Sequence, residues 1–276
     1  MSELNAQRGY VDSSFGQVHY RDASPASGAP DRTAVVCFHQ SPMSGMQYQP
    51  FQDELARDRR VICPDTPGFG GSDTPPGPVT IADYANAMAQ ALVGLGFGED
   101  GLGPVDVFGG HTGSVIGTEL AVLRPDLVRS IAYPSVALFS DEQKKIMLER
   151  FGGPPGYFTD PDFVANSYKQ TVLDGRPEIN PERRLALFAE RLRSGMQASY
   201  APDAVMAYDA ESRLQKLSQP ALILVLDDML AENSRRAGTL IPNVTVVEMA
   251  HIQHGIAWDV HAAEIAIAVR DFYDSL

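Results

Sequence analysis

The sequence has no long apolar run, no basic segment and only two cysteines, and each absence excludes a class of protein. No stretch is apolar over the roughly 20 residues that a membrane-spanning helix needs, and residues Met1 to Arg8 lack the apolar core of a secretory signal. We therefore expect a cytoplasmic protein with no membrane partner. The formal net charge of -13 argues against a nucleic acid partner, because neutralisation of phosphates by Lys and Arg drives such binding.

The two cysteines, Cys37 and Cys63, lie in apolar, strand-like runs. Two buried thiols are therefore expected rather than a disulfide, and neither residue has the spacing of a metal ligand. A chain of 276 residues can bury one large core.

Short β-branched and apolar runs alternate with helical patterns along most of the chain, after an entry hairpin of two strands. This rhythm predicts an α/β fold in which helices cover both faces of a mostly parallel twisted sheet. The predicted strands are Gly9 to Asp12, Gly16 to Arg21, Thr33 to Phe38, Arg60 to Cys63, 105–109, Val128 to Tyr133, Pro220 to Leu226 and Val244 to Met249.

The alternation of strand-like and helical segments stops in one region, residues 138–218. This region shows helical patterns and helix-breaking Gly and Pro residues but no buried strand. We interpret it as an inserted helical cap on a core formed by residues 1–137 and 219–276.

A glycine-rich turn, Gly109-Gly110-His111-Thr112-Gly113, joins one predicted strand to the next helix. Small residues at such a turn allow a strained backbone to lift one side chain above the sheet edge. We place His111 at the tip, which keeps Gly113 where a side chain would meet the neighbouring strand. The alternative register places Thr112 at the tip and Ser114 where the last glycine belongs.

Several motifs then follow a known order. These are the loops His39-Gln40-Ser41-Pro42 and Asp65 to Asp73, the glycine turn, Asp227-Asp228 after the penultimate strand, and His254 after the last strand. Over nearly the whole chain this order resembles the α/β-hydrolase superfamily. The resemblance is to its capped branch of epoxide hydrolases, haloalkane dehalogenases and carbon–carbon bond hydrolases, and is weakest in the cap.

The resemblance implies a nucleophile, an acid and a base in that chain order. By this reasoning Asp228 is the acid, with Asp227 as the alternative, and orients the base. His254 is the base, with His251 as the alternative in the same loop. The chain departs from the family at the nucleophile position, where His111 stands in place of a hydroxyl or carboxylate side chain.

A second group of residues is expected to bind the substrate and its developing oxyanion. The backbone N–H groups of Gln40 and Thr112 are the predicted donors, although Gln40 replaces the glycine usual in the family. His39 and Ser41 complete this group. For His39 a structural role in the turn is the alternative.

The catalytic role of His111 has two possible forms. It attacks the substrate and forms an acyl-imidazole, or it holds a water or substrate oxygen while His254 moves the proton. We favour the second, because two neighbouring imidazoles are not both readily protonated, so one stays a neutral base.

The sequence thus predicts an atypical hydrolase that cleaves an ester, lactone or carbon–carbon bond of a small, largely apolar or aromatic molecule. Alternatives are a cofactor-free lyase, decarboxylase or cyclase that uses the same residues, and a ligand-binding protein without activity. We predict no cofactor and no metal, although two histidines and a carboxylate resemble a facial-triad ligand set. A homodimer is left open. The residues expected to face the site from loops and cap are Met43, Met46, Tyr48, Phe139, Phe151, Tyr157, Phe158 and Trp258.

Overall fold

A computed structural model of the chain describes residues 4–28 and 32–276. The segment from Ala23 to Asp31 is rich in Pro, Ser and Gly, which predicts a loop; its end, residues 29–31, lies outside the described residues. No helix in the described ranges is long and apolar enough to cross a membrane.

One eight-stranded sheet forms the centre of the described structure, in the order β1-β2-β4-β3-β5-β6-β7-β8. The first two strands form an antiparallel hairpin, β2 pairs antiparallel with β4, and the other neighbours are parallel. The strands are β1 (Leu4–Ser13), β2 (Gly16–Pro25), β3 (Val35–Phe38), β4 (Val61–Pro64), β5 (Val105–Gly109), β6 (Val128–Tyr133), β7 (Ala221–Asp227) and β8 (Val244–Gln253).

Helices cover both faces of the sheet. The apolar side chains of the helices and the strands form two buried clusters. The α-helices are α1 (Gln49–Leu55), α2 (Ile81–Gly94), α3 (Thr112–Leu123), α4 (Asp141–Phe151), α5 (Gly156–Thr159), α6 (Phe163–Tyr168), α7 (Pro181–Arg193), α8 (Tyr200–Ala207), α9 (Ala210–Leu214), α10 (Ala231–Ala237), α11 (Ala257–Val260) and α12 (Ala262–Asp274). Short 3-10 helices span Gly45–Tyr48, Gly195–Ser199 and His254–Ile256, and Lys169–Leu173 is a π-helix.

The inner strands are apolar because both of their faces are covered. Every residue of β3, β4 and β5 is buried, as expected for parallel strands between two helical layers. The carboxyl ends of parallel strands meet at one edge of the sheet, where open α/β sheets bind their ligands. The loops after β3, β5, β7 and β8 therefore meet at that edge.

The segment between β6 and β7 contains only helices, α4 to α9. The α7 helix docks on the core through Arg183, whose guanidinium donates to Asp259 at 2.8 Å and to the carbonyls of Met46 and Gln47. Ser194 adds a hydrogen bond to the carbonyl of Pro42. The division into core and cap at residues 138 and 218 stays a prediction.

The structure confirms the predicted α/β fold and the mostly parallel sheet. It corrects one local expectation, because β8 continues through His251 to Gln253 and His251 is therefore a strand residue. Its exposed imidazole pairs with Glu264 at 2.7 Å. The expectation for the cysteines is confirmed, since Cys37 and Cys63 are free and buried.

Candidate active site

The glycine turn connects β5 to α3 and carries His111 in an unusual backbone conformation. His111 has φ 51° and ψ −119°, and among the described residues it alone has a positive φ without being glycine. Such a conformation costs about 1–3 kcal/mol and persists only where its surroundings hold it. Here the His111 N–H donates to the carbonyl of Ser135 at 3.1 Å, and the Ser114 hydroxyl donates to the carbonyl of His111 at 2.6 Å.

Two glycines make this turn possible by close backbone approach. A Cβ atom on Gly113 would lie 1.9 Å from the carbonyl oxygen of Phe38 in β3, and one on Gly109 would lie 2.5 Å from the carbonyl oxygen of Gly113. Both distances are far below a van der Waals contact. The turn is therefore pressed against the neighbouring strand.

The hydroxyls of the alternative register hold the turn to its surroundings. Thr112 is the first residue of α3 and is buried, and its Oγ1 accepts a hydrogen bond from the N–H of Ser41 at 3.3 Å. Ser114 is fully buried, and its hydroxyl also accepts from the N–H of Ala137. Both hydroxyls are thus used within the fold.

Three predicted site residues come together at the edge of the sheet. His111 Nε2 lies 3.4 Å from Asp228 Oδ2, and the rings of His111 and His254 lie 4.6 Å apart between centroids. One ligand atom from each residue fits within a mutual distance of 4.8 Å, so the three side chains form a possible metal-ligating group.

The carboxylate of Asp228 is held on two sides. Oδ2 accepts from the Ser135 hydroxyl and Oδ1 from the N–H of Leu230 at 2.8 Å. No hydrogen bond or ion pair joins Asp228 to His254 within the described ranges, which differs from the expectation that Asp228 orients His254. The imidazole within ion-pair distance of this carboxylate is that of His111 instead.

The electrostatics of the cluster keep His254 neutral and Asp228 charged. Burial among protein atoms, followed by the proximity of His111, lowers the pKa of His254 to about 3, while Asp228 acts in the opposite direction. Burial acts to raise the pKa of Asp228, but His111 and the hydrogen bond from Ser135 outweigh it and hold that pKa below its ordinary value. His254 therefore carries a free lone pair at neutral pH.

Several polar atoms of the predicted substrate-binding group have no hydrogen-bond partner among the described residues. Within the described residues, the backbone N–H groups of Gln40 and Thr112 donate no hydrogen bond. Gln40 Oε1 and Ser41 Oγ are buried atoms that also lack a partner. Buried polar atoms without partners are rare in folded proteins, and those at a binding site commonly pair with a ligand or water.

His39 has a different role from the other members of that group. Its ring is completely buried, one nitrogen accepts from the N–H of Thr66 at 2.8 Å, and the other donates to the carbonyl of Gln40 at 2.9 Å. No ring nitrogen is left for a substrate. His39 thus joins the loops after β3 and β4, which corrects the expectation of a substrate contact and matches its structural alternative.

Four of the aromatic residues expected at the site differ in their distance from the histidines. Tyr48 is completely buried and packs edge-on against Phe108 and Trp258 beneath the turn. Trp258 also contacts the site directly, with its ring 5.6 Å from that of His254. Phe158 is exposed, and the Tyr157 hydroxyl donates to the carbonyl of Gly195. These two rings contact each other, and Tyr157 also contacts Phe163 in the predicted cap.

Sequence reasoning missed two neighbours of the cluster. Ser135 follows β6 at the same edge of the sheet, and that position is the only signal in the sequence that could have identified it. Arg176, from the segment between α6 and α7, donates to the side chain of Gln253 beside His254. No sequence pattern points to this contact, because the two residues are far apart along the chain.

Comparison with known proteins places this geometry in a family. The sequence profile of the alpha/beta hydrolase fold matches residues 33–259, and the chain belongs to that family of hydrolases. It is 25% identical over 235 residues to a poly(3-hydroxyalkanoate) depolymerase from Ectopseudomonas oleovorans, covering 82% of this chain and 80% of the relative.

Two further comparisons extend this finding. A haloalkane dehalogenase from Mycolicibacterium paratuberculosis is 33% identical over 199 residues, which are 71% of this chain and 58% of that protein. A solved esterase from Thermogutta terrifontis superposes with a TM-score of 0.73 at 21% identity, covering 98% of this chain and 99% of that one. At this identity the structural likeness shows the fold alone.

Proposed function

We propose that this chain hydrolyses an ester or lactone of a small, largely apolar molecule, and that two imidazoles activate the attacking water. The observation that carries this proposal is the pair of rings at the turn, 4.6 Å apart. The resemblance places the family's nucleophile in the turn after β5, and His111, the N-cap residue of α3, lies in this turn.

The neutral His254 is the proton acceptor in the proposed reaction. It takes a proton from a water molecule that His111 holds, and the water oxygen forms a bond to the substrate carbonyl carbon. The electron pair of the carbonyl bond moves to oxygen, where the free N–H groups of Gln40 and Thr112 stabilise the negative charge. When the intermediate collapses, the bond to the leaving oxygen breaks and His254 returns the proton to it.

Three features support this assignment. The charged Asp228 lies beside both histidines and stabilises the imidazolium that forms during the reaction. The depolymerase name of one relative favours carbonyl chemistry. The edge of Trp258 beside His254 favours an apolar substrate.

A panel of ester, lactone and carbon–carbon bond substrates, combined with a phosphonate that traps activated serines, tests the proposal. We expect turnover of an ester or lactone, no covalent modification by the phosphonate in mass spectra, and loss of turnover by about 10²-fold or more in His111→Ala. His251→Ala, which removes an exposed imidazole, is the matched control and should retain activity.

Stoichiometric labelling of Ser41, Ser114 or Thr112 with loss of activity would contradict the proposal and indicate an acyl-enzyme route. Turnover of carbon–carbon bond substrates alone would also contradict it, in favour of carbon–carbon bond hydrolysis.

A further inference from the structure

We infer that His111, Asp228 and His254 form a binding site for one divalent transition metal ion of the zinc type. The inference goes beyond the proposed hydrolysis, which uses no metal. Two imidazoles and one carboxylate are a ligand set that zinc accepts, and three protein ligands leave a fourth position for water.

The distances within the cluster fit this ion. Metal–ligand bonds of about 2.0–2.2 Å at a tetrahedral angle place neighbouring ligand atoms about 3.3–3.6 Å apart. His111 Nε2 and Asp228 Oδ2 are 3.4 Å apart, which is the edge of such a tetrahedron. His111 Nε2 is buried and has no hydrogen-bond partner, although an oxygen atom lies so near.

The third ligand can complete the site with a small movement. The ligand atoms of the three residues lie within 4.8 Å of one another, so His254 must approach by about an ångström to reach a tetrahedral edge. No hydrogen bond to the His254 ring is found within residues 4–28 and 32–276, so no such bond opposes this movement. Ser135 and the Leu230 N–H fix the carboxylate, as hydrogen-bond donors to ligating carboxylates commonly do at metal sites.

A second group of the same composition provides an internal comparison. His251, His261 and Glu264 lie on the surface, and both imidazoles already pair with the carboxylate, at 2.7 and 3.2 Å. Its metal-binding atoms are therefore occupied and exposed to water. We assign the ion to the site cluster.

The test uses the purified full chain without a histidine tag. Titration with zinc followed by calorimetry should give about one ion per chain, and cobalt(II) should give the visible absorption of four-coordinate nitrogen and oxygen ligation. His111→Ala and the conservative Asp228→Asn should each weaken binding by at least about 100-fold, while His251→Ala leaves it unchanged. Thermal unfolding without metal checks that each variant is folded.

Binding that is lost in His251→Ala and kept in His111→Ala would overturn the inference, as would the absence of zinc and cobalt binding in the folded wild-type chain. Activity separates this result from the proposed function. Because zinc occupies the lone pair of His254 that serves as base, it should inhibit ester turnover, and a chelator should restore it. Stimulation by zinc would keep the metal site and contradict the metal-free hydrolysis.

Discussion

At the residue scale, the proposed chemistry depends on the imidazole at position 111, where the resemblance predicts a hydroxyl or carboxylate side chain. An imidazole at position 111 meets Asp228 directly at 3.4 Å, and this leaves His254 without the carboxylate contact that a serine-based triad would give it. The proposed elbow residue and the proposed base are therefore both imidazoles, and the proposed acid, Asp228, lies closer to the first. Two adjacent aspartates therefore differ in their surroundings: Asp228 lies beside His111, whereas the side chain of Asp227 is exposed.

Asp228→Asn should lower kcat/KM by roughly 10²- to 10⁴-fold, because it removes the charge that stabilises the imidazolium. Asp227→Asn should change it by less than about threefold, since surface changes away from such contacts have small effects. Asp227 ends β7 with an exposed side chain, whereas the side chain of Asp228 is 5% exposed. Steady-state kinetics on folded variants, with a pH profile for each, make the comparison.

Equal losses in the two variants, or a larger loss in Asp227→Asn, would reject the assignment of Asp228. A loss in Asp228→Asn that follows only its unfolding temperature would show a structural role of the hydrogen bonds to Ser135 and Leu230.

The strand–turn–helix unit of β5 and α3 is the element that presents His111. Its geometry depends on contacts between backbones, because Gly113 approaches the carbonyl of Phe38 in a different strand. The turn is therefore stable only if β3 and β5 pair in the observed register, Phe38 opposite Gly109.

Gly113→Ala should destabilise the protein by about 1–3 kcal/mol or more, because the new methyl group would overlap the Phe38 carbonyl. The matched control is Gly77→Ala, where a Cβ atom meets nothing within 4 Å, and its effect should stay within about 0.5 kcal/mol. Denaturant unfolding measures both. Equal stability of the two variants would contradict the close approach of the turn to β3.

At the scale of the whole molecule, two histidines are kept neutral by the fold. Burial lowers the pKa of His39, against the opposing charge of Asp65, and burial together with His111 lowers that of His254. Below about pH 6.5 the unfolded chain binds more protons at these two residues than the folded chain does. The contribution of these groups to stability is thus complete above pH 6.5 and is lost as the pH falls.

The free energy of unfolding should therefore decrease as the pH falls from 6.5 to 4.5, by up to about 1.4 kcal/mol per pH unit for His254. The lowered pKa of His39 acts in the same direction. His254→Gln should reduce this slope by up to one proton, and the exposed His251→Gln should not. Denaturant unfolding across this range measures the slopes. An unchanged slope in His254→Gln would show that the fold does not hold His254 neutral.

The sequence by itself determined the features that depend on local patterns. The β-branched runs and the glycine turn depend on neighbours within a few residues. These signals were sufficient for the α/β fold and for the order of the site residues along the chain.

Only the tertiary structure decided which of those residues touch. His39 and Thr66 pair across loops 27 positions apart, and His251 became a strand residue because β8 extends beside β7. The position of Asp228 against His111 depends on the spacing of β5, β6 and β7 in the sheet. The pattern of one sequence carries no distances between segments, so these contacts appear only when the sheet brings the loop ends together.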